Sequence, residues 1–274
     1  MKKKIGFIDL FIDEWHSNNY PAWFAAAPRG GEFELAYAWE KEPFPGRRAL
    51  TEWCRDNHMI PAASIEEVVE KCDAFCVLAP ANPEKHEELA ELPLRSGKPV
   101  YIDKPFADSR AAAERLFAAA GKYGTPLMSS SALRFGDQLL SGELQTLAPM
   151  IMHTTGGGRS YDEYAIHQLE MIVSVMGTGF EDLHLVGDAE KLALTIEYSG
   201  GRLATLDYTK RLPFTITAAN ADKALVRPEI TRTFENLTAA ILEFFATGVS
   251  PIPTAETLAI ASLLEQSVAM LHAR

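Results

Sequence analysis

The chain has 274 residues, of which 47% are hydrophobic and 23% are charged, and its formal net charge is −11. Such a composition is typical of an ordinary globular protein, and the length allows one large domain or two smaller ones. An acidic chain without a basic cluster is repelled by nucleic acid and by anionic membrane surfaces, so we expect neither as a partner.

The sequence also predicts the compartment of the protein and the state of its cysteines. No stretch reaches the ~18 apolar residues of a membrane-spanning helix. The apolar run after the N-terminal lysines is interrupted by Asp9, Asp13 and Glu14, which is not typical of a signal peptide. The three cysteines have neither the number nor the spacing of a disulfide framework or a zinc site. We therefore expect a cytoplasmic protein with free thiols and no bound metal.

The first half of the chain alternates short apolar runs with helix-like segments. The apolar runs, each typical of a β-strand, are residues 4–10, 33–39, 74–79, 100–103 and 126–129. The helix-like segments are residues 21–27, 47–58, 64–71, 84–96 and 109–122. Runs that are apolar on both faces are typical of buried parallel strands. The alternation predicts an α/β fold, with a Rossmann-type, doubly wound parallel sheet over residues 1–125.

The pattern changes in the second half of the chain. Helices are predicted over residues 137–144, 161–176, 233–247 and 254–272, and a strand is predicted over 150–155. Two alternating runs, 192–198 and 202–208, are joined by Ser-Gly-Gly and predict an antiparallel hairpin. These elements predict a second, α+β domain over residues 126–274. This domain is too short to cover a sheet on both faces, so we expect an uncovered apolar face and a homodimer or larger even homo-oligomer.

Ligands of an open parallel sheet bind at the carboxyl ends of its strands. After the first strand, a dinucleotide-binding fold has the sequence G-x-G-x-x-G, whose glycines let backbone amides reach the pyrophosphate. This chain has only Gly6 there, followed by Asp9, Asp13 and Glu14. Either these carboxylates point away from the cleft, or the pyrophosphate is not bound in the usual way. The segment Ser17-Asn18-Asn19 could supply substitute donors or simply cap the next helix.

Two residues are candidates for catalysis. Lys104 follows a predicted buried strand, so it should stand at the mouth of the cleft, as a ligand for a hydroxyl group or as a solvated loop lysine. His167 shares one helix face with Glu163 and Glu170, four residues before it and three residues after it. An imidazole beside two carboxylates suits general acid/base catalysis. Alternatively, Glu163 only completes a capping box that begins at Ser160.

Four segments of the chain resemble the glucose–fructose oxidoreductase and inositol dehydrogenase (Gfo/Idh/MocA) family. VYIDKPFADS is similar to the family's Glu-Lys-Pro segment, with Asp103 in place of Glu, and FCVLAPANPEKH is similar to its strand, proline turn and histidine. SALRF is similar to the segment that enters the second domain. GGGRSYDEYAIHQLEMI is similar to the Gly-Gly and Asp-x-Gly-x-His pattern, with Glu163, Ala165 and His167 at the Asp, Gly and His positions. The chain departs from the family in its missing Gly-rich loop, in Ala132 where Asn or Gln is usual, and in its short second domain.

The resemblance implies a C-terminal domain with an open, mostly antiparallel sheet, and hydride transfer between NAD or NADP and a carbon of a sugar, polyol or cyclitol-like substrate. It implies that Lys104 positions the nicotinamide ribose and the substrate, and that His167, with Glu163, exchanges the hydroxyl proton. Lys104 and His167 should then face one cleft between the domains. Glu40 would take the adenosine ribose hydroxyls and favour NAD. The residues implied to bind cofactor are Gly6, Asp9, Glu40, Ala79, Pro80, Asn82, His86, Asp103 and Lys104, and those implied to bind substrate are Arg134 and Glu170.

Two other functions stay open at this point. A catalytically silent relative would bind a small ligand or a partner without a dinucleotide, and the acidic, glycine-poor first loop favours this alternative. Another relative would keep the cofactor but catalyse a redox-neutral reaction such as elimination from a sugar. The presence of both Lys104 and His167 favours an enzyme.

Overall fold

The computed structural model describes residues 2–273 and falls into two compact units. The first unit contains the residues up to Ser130 together with Leu237–Pro253. The second contains Ser131–Asn236 together with the residues from Thr254 onward. The predicted division into residues 1–125 and 126–274 differs from this arrangement, because the chain returns to the first unit before its last helix.

The first unit is built on a six-stranded parallel sheet with the strand order β3-β2-β1-β4-β5-β6. Its strands are β1 (Lys3–Asp9), β2 (Phe33–Glu40), β3 (Ile60–Pro61), β4 (Ala74–Val77), β5 (Val100–Ile102) and β6 (Leu127–Met128). The helices between them are α1 (Trp15–Ala26), α2 (Leu50–Asp56), α3 (Ile65–Lys71), α4 (His86–Arg95) and α5 (Arg110–Tyr123). The Rossmann-type parallel sheet that the sequence predicts is confirmed.

Aromatic side chains hold the first two helices against this sheet. Phe7 on β1 is fully buried, and the rings of Tyr20, Phe24 and Trp53 lie with their centroids 6.3, 6.4 and 6.2 Å from its own. Rings at these separations attract one another beyond the area that they bury. The contacts fix α1 and α2 on one face of β1, and so they fix the loop that joins β1 to α1.

Helix α1 begins at Trp15, six residues before the predicted start. Pro21 indicated a helix start because proline favours the first helical turn, but it lies inside α1. The helix begins earlier because Glu14 caps it. Glutamate is not among the preferred N-cap residues, so this start could not be predicted from a capping pattern.

The second unit contains a six-stranded sheet with the order β12-β11-β7-β10-β9-β8. Its strands are β7 (Ile151–Gly156), β8 (Phe180–Asp188), β9 (Lys191–Tyr198), β10 (Arg202–Thr209), β11 (Thr215–Ala219) and β12 (Ala224–Arg227). Its helices are α6 (Asp137–Leu140), α7 (Glu143–Leu147), α8 (Tyr161–Met176), the first turn of α9 (Thr233–Thr247), and α10 (Thr254–His272). Among the strands described in this sheet, β7 and β10 pair in parallel and the other neighbours are antiparallel. The mostly antiparallel sheet is confirmed, although the sequence reading missed β8, β11 and β12.

Helix α8 packs on one face of this sheet. Leu169 and Ile172 of α8 are fully buried and belong to one apolar cluster with Leu194, Ile196 and Leu206 of β9 and β10. The burial alternates along β9 and β10, as the hairpin pattern requires for a sheet with one covered face. Position 167, two residues before Leu169, is thereby held beside the core.

The opposite face of the same sheet mixes polar residues with exposed Ile151, Val186, Leu203 and Val226, whereas an apolar face was expected. Half-buried His153, Thr155, Thr205 and Asp207 point outward from β7 and β10. The Nδ1 atom of His153 lies 2.8 Å from the Thr205 hydroxyl, and the hydroxyls of Thr155 and Thr215 are 2.8 Å apart. The polar groups of this face therefore pair with one another. The predicted even-numbered oligomer stays a prediction.

Candidate functional site

Asp9 ends β1 and is fully buried. Its Oδ1 atom accepts hydrogen bonds from the backbone N–H groups of Leu10 and Ala79, at 2.7 and 3.0 Å. Burial raises the pKa of Asp9 well above its usual value, and the nearby Glu14 carboxylate raises it further. Asp9 therefore faces inward and ties the end of β1 to the residues that follow β4.

Glu14 occupies the N-terminus of α1. Its Oε2 accepts the backbone N–H of His16 at 2.8 Å, and its Oε1 accepts the backbone N–H of Ser17 at 2.5 Å. The Ser17 hydroxyl accepts the backbone N–H of Glu14 at 3.3 Å, which completes a reciprocal capping box. Burial raises the pKa of Glu14 above its usual value. The first amides of α1 are thus already bound to a carboxyl group of the chain itself.

The loop between β1 and α1 is held by two further carboxylates. Glu40, at the end of β2, accepts the backbone N–H groups of Ile12 and Leu50 at 2.9 and 3.2 Å. Asp13 accepts hydrogen bonds from the Arg48 guanidinium at 2.7 Å and from the Arg48 backbone N–H at 2.9 Å. The guanidinium holds the pKa of Asp13 well below its usual range. Residues 10–14 are therefore anchored from β2 and from the segment that leads into α2.

His16 and Asp103 form a buried pair that sequence reasoning missed. The Nδ1 atom of His16 is hydrogen-bonded to Asp103 Oδ2. The other oxygen of Asp103 accepts the Lys104 backbone N–H at 2.8 Å and the Tyr101 hydroxyl at 3.3 Å. Burial alone would raise the pKa of Asp103, but the neighbouring His16 and Lys104 outweigh burial and lower it. Asp103 is therefore an ionised, buried carboxylate at the end of β5. A helix predicted to begin at Trp15 would have revealed this pair, because it places His16 at the same sheet edge as Asp103.

The structure places Lys104 and His86 close to the ends of β4 and β5. The Lys104 ammonium lies 3.4 Å from the Pro80 carbonyl oxygen. His86 is fully buried, with Nδ1 3.0 Å from the Phe106 carbonyl and Nε2 2.5 Å from the Leu78 carbonyl. Burial lowers the pKa of His86 below its usual value. The imidazole thus lies between two backbone carbonyl groups inside the unit.

Two other residues implied to bind cofactor also contact protein groups. A side chain at Gly6 would place its Cβ 2.4 Å from Val68 Cγ1 and 3.1 Å from Cys72 Sγ, so this glycine allows α3 to pack against β1. The Asn82 amide donates to the Glu84 carboxylate at 3.1 Å.

In the second unit, His167 lies in a cluster of charged and polar side chains. Its Nδ1 is 2.6 Å from the Ser131 hydroxyl, and the backbone N–H of Ser131 donates to Glu170 Oε1 at 3.2 Å. The Arg134 guanidinium is 3.6 Å from Glu170 Oε2 and also binds Glu256. The Arg134 and Glu170 side chains are 12% and 6% exposed, so these charges are largely withdrawn from water. We call Ser131, Arg134, His167, Glu170 and Glu256 the His167 cluster.

Aromatic rings and a neighbouring ion pair complete the surroundings of His167. The rings of Tyr164 and Phe214 lie 5.5 and 5.7 Å from the imidazole, both edge to face. The Glu163 carboxylate is 2.6 Å from the Arg159 guanidinium. The cluster thus joins His167 to Arg134 and Glu170, whereas Glu163 binds Arg159. Lys104 and His167 belong to different units, and their shared cleft stays a prediction.

The chain is similar to known oxidoreductases over part of its length. Residues 19–131 match the GFO_IDH_MocA family, described as an oxidoreductase family with an NAD-binding Rossmann fold. Over 184 residues the chain is 28% identical to trans-1,2-dihydrobenzene-1,2-diol dehydrogenase of Xenopus tropicalis, a match that covers 56% of this chain and 55% of that protein. Over residues 19–131 the chain is therefore similar to the Gfo/Idh/MocA family. It spans about half the length of this relative and of the Xenopus laevis enzyme of the same name.

Solved structures have the same fold as this chain. A probable dehydrogenase from Thermotoga maritima has a TM-score of 0.81 at 16% identity, and the match covers 99% of this chain and 97% of that chain. A putative myo-inositol dehydrogenase from Sinorhizobium meliloti has a TM-score of 0.80 at 14% identity, covering 99% and 98%. Biliverdin reductase from Synechocystis, solved with biliverdin and NADP+, has a TM-score of 0.72 at 13% identity, covering 98% and 99%.

The end of β1 does not fit a dinucleotide pyrophosphate in the position where a Rossmann fold binds it. In a Rossmann fold the pyrophosphate lies on the backbone N–H groups at the N-terminus of the first helix. Here Asp9, Glu14 and Glu40 accept six backbone N–H groups between them, and Glu14 takes those of α1. We call these three residues the edge carboxylates. Asp9 Oδ2, which has no hydrogen-bond partner among residues 2–273, is a carboxyl oxygen and therefore does not attract a phosphate.

Proposed function

We propose that this protein is an oxidoreductase that transfers a hydride between NAD or NADP and a hydroxyl-bearing carbon of a sugar, polyol or cyclitol-like substrate. The observation that carries the proposal is the His167–Ser131 hydrogen bond, which orients an imidazole beside a buried guanidinium and carboxylate. The match of residues 19–131 to an oxidoreductase family supports the reaction class. The names of two relatives, a diol dehydrogenase and an inositol dehydrogenase, support a substrate with neighbouring hydroxyl groups on a ring.

The residues of the chain have distinct roles in this proposal. His167 exchanges the proton of the reacting hydroxyl through Nε2, because Nδ1 is engaged by Ser131. Arg134 donates to other hydroxyls of the substrate, while Glu170 accepts from them. Lys104, in the first unit, donates to a hydroxyl from its ammonium group. The dinucleotide would supply or accept the hydride, and its pyrophosphate is not assigned to the N-terminus of α1.

A second candidate function is the binding of a hydroxylated small molecule without any dinucleotide. The capping of α1 by Glu14 favours it, because the amides that a pyrophosphate would use are already bound. Such a protein would keep the His167 cluster as a ligand site and would catalyse no hydride transfer.

Nicotinamide fluorescence distinguishes the two candidates. NADH and NADPH are titrated separately into the purified protein, and the protein is then assayed with NAD+ or NADP+ against a panel of sugars, polyols and cyclitols. Dinucleotide binding with turnover of a panel member supports the oxidoreductase. Calorimetric binding of a panel member without dinucleotide binding or turnover supports the second candidate.

A further inference from the structure

At the β1–α1 edge, a carboxyl group of the protein itself lies where a Rossmann fold binds phosphate. A carboxylate and a phosphate oxygen make the same kind of hydrogen bond to the N–H groups of a first helical turn. Both oxygens of Glu14 are used in this way, at 2.8 and 2.5 Å, and the side chain is almost completely buried. A dinucleotide can reach these amides only after Glu14 leaves them.

We infer that Glu14 is an internal competitor for the pyrophosphate of a dinucleotide, so that the unaltered protein binds NAD(H) and NADP(H) weakly. The inference rests on the dinucleotide named in the proposed function. Competition arises because a bound pyrophosphate would lose its amide donors and would also lie beside a carboxyl group. We expect a dissociation constant for NADH above roughly 0.1 mM, which corresponds to a loss of two or more decades against low-micromolar binding.

Contacts on both sides of Glu14 oppose a spontaneous rearrangement of the loop. The Ser17 hydroxyl is hydrogen-bonded to the Ile12 carbonyl, and Glu40 holds the Ile12 backbone N–H at 2.9 Å. Asp13, next to Glu14, is bound to Arg48 through both of its oxygens. Moving Glu14 therefore requires either that these bonds break or that the side chain alone rotates out of a buried position.

The inference also separates Glu14 from Asp9, the other acidic residue at this edge. Asp9 bonds to the backbone N–H groups of Leu10 and Ala79, outside the first turn of α1. Removing its charge should therefore leave the amides of α1 occupied. Only a change at Glu14 should open them.

The test is carried out on the unaltered protein, Glu14→Ser and two control variants. NADH binding is measured by nicotinamide fluorescence, and ADP binding is measured by calorimetry. Serine is a preferred N-cap with a short side chain, so Glu14→Ser keeps the helix start while it vacates the pyrophosphate position. We expect it to bind NADH at least tenfold more tightly. Glu42→Gln removes the charge of an exposed carboxylate on the same edge, and Asp9→Asn removes a buried one; both should change the affinity less than twofold.

Each other result has a definite meaning. Low-micromolar NADH binding by the unaltered protein, unchanged in Glu14→Ser, overturns the inference and leaves the proposed function supported. No NADH binding by any variant overturns the inference and also removes the dinucleotide from the proposed function. Circular dichroism verifies that Glu14→Ser is folded. If it is not, Glu14→Gln, which keeps the size of the cap and loses its charge, takes its place, and a gain below threefold then overturns the inference.

Discussion

The imidazole of His16 and the carboxylate of Asp103 form a hydrogen bond that joins the first turn of α1 to the end of β5. The two residues are 87 positions apart in the sequence and both are buried. Removing one member of a buried pair leaves the other without its partner in a place that water does not reach.

We therefore expect His16→Ala to lower the free energy of unfolding by about 3 kcal/mol, the lower end for a broken buried pair, because the Lys104 backbone and the Tyr101 hydroxyl still contact Asp103. Urea denaturation followed by circular dichroism measures the change. His184→Ala is the matched control, since that imidazole is 55% exposed in its ion pairs, and it should cost less than about 1 kcal/mol. Equal losses in the two variants would show that the His16–Asp103 pair does not stabilise the fold.

The free energy of unfolding should depend on pH through Asp9, because burial raises the pKa of this carboxyl group. Its folded-state pKa lies above the unfolded value of about 3.9, so the folded protein holds a proton that the unfolded chain releases. The contribution of Asp9 to the free energy of unfolding should therefore fall as pH rises above about 4, until its folded-state pKa is passed. Burial also raises the pKa of Glu14, which contributes with the same sign.

The variant Asp9→Asn removes the ionisation of Asp9 and isolates this contribution. The difference in unfolding free energy between Asp9→Asn and the unaltered protein should shift in favour of the variant as pH rises from about 4 to 8. Urea titrations at several pH values measure this difference. A difference that stays constant, or shifts the other way, would contradict the raised pKa.

Gly6 gives a prediction that separates packing from phosphate binding. A Cβ at this position would lie 2.4 Å from Val68 Cγ1, and Val68 is fully buried between α3 and the sheet. Gly6→Ala should therefore cost about 1–3 kcal/mol of unfolding free energy, as overpacked core sites do. Gly121→Ala is the control: nothing lies within 4 Å of the added methyl group in α5, and the helix should gain about 0.5–1 kcal/mol.

The double variant Gly6→Ala/Val68→Ala checks the cause of this loss. If the clash with Val68 destabilises Gly6→Ala, the combined loss should be smaller than the sum of the two single losses. Additive losses would show that the loss of stability in Gly6→Ala does not come from the contact with Val68.

Local patterns were enough to predict much of the fold. Helix α8 begins and ends where the sequence predicts, because Ser160 caps it, its apolar residues recur with helical spacing, and Gly177 follows its end. The hairpin of β9 and β10 was predicted for a similar reason, since its strands alternate and Ser199–Gly201 joins them. Strand β12 was not predicted because it is only four residues long and largely exposed.

The site depends on pairings that no local pattern shows. Glu14 caps the helix through a reciprocal capping box with Ser17. Pro21 led to a predicted helix start that lies after both residues. The partner of His16 lies in another βα unit, and the Ser131 hydroxyl that holds His167 is 36 residues away from it. The sequence could therefore name His167 and Lys104 as candidates, but it could not name the groups that hold them.

His167 should be needed for turnover if the proposed hydride transfer occurs. His167→Ala removes the proton-exchanging imidazole and should lower kcat by about 10²–10⁴-fold, the usual contribution of a positioned acid or base. Steady-state kinetics with the substrate found in the panel measure the loss, and His184→Ala, which removes an exposed imidazole of the same unit, should leave kcat unchanged. Full activity in His167→Ala would make this histidine structural.

Ser131 should act as a positioning residue for the same imidazole. Its hydroxyl lies 2.6 Å from His167 Nδ1, so Ser131→Ala frees the ring to turn without removing it. We expect kcat to fall by roughly tenfold, less than in His167→Ala, because the loss is one of orientation and not of the proton-exchanging group. Ser131→Thr keeps a hydroxyl at the same position and should restore most of the activity, while KM for the substrate changes little in either variant. If Ser131→Thr fails as badly as Ser131→Ala with both proteins folded, the hydroxyl is not what positions His167.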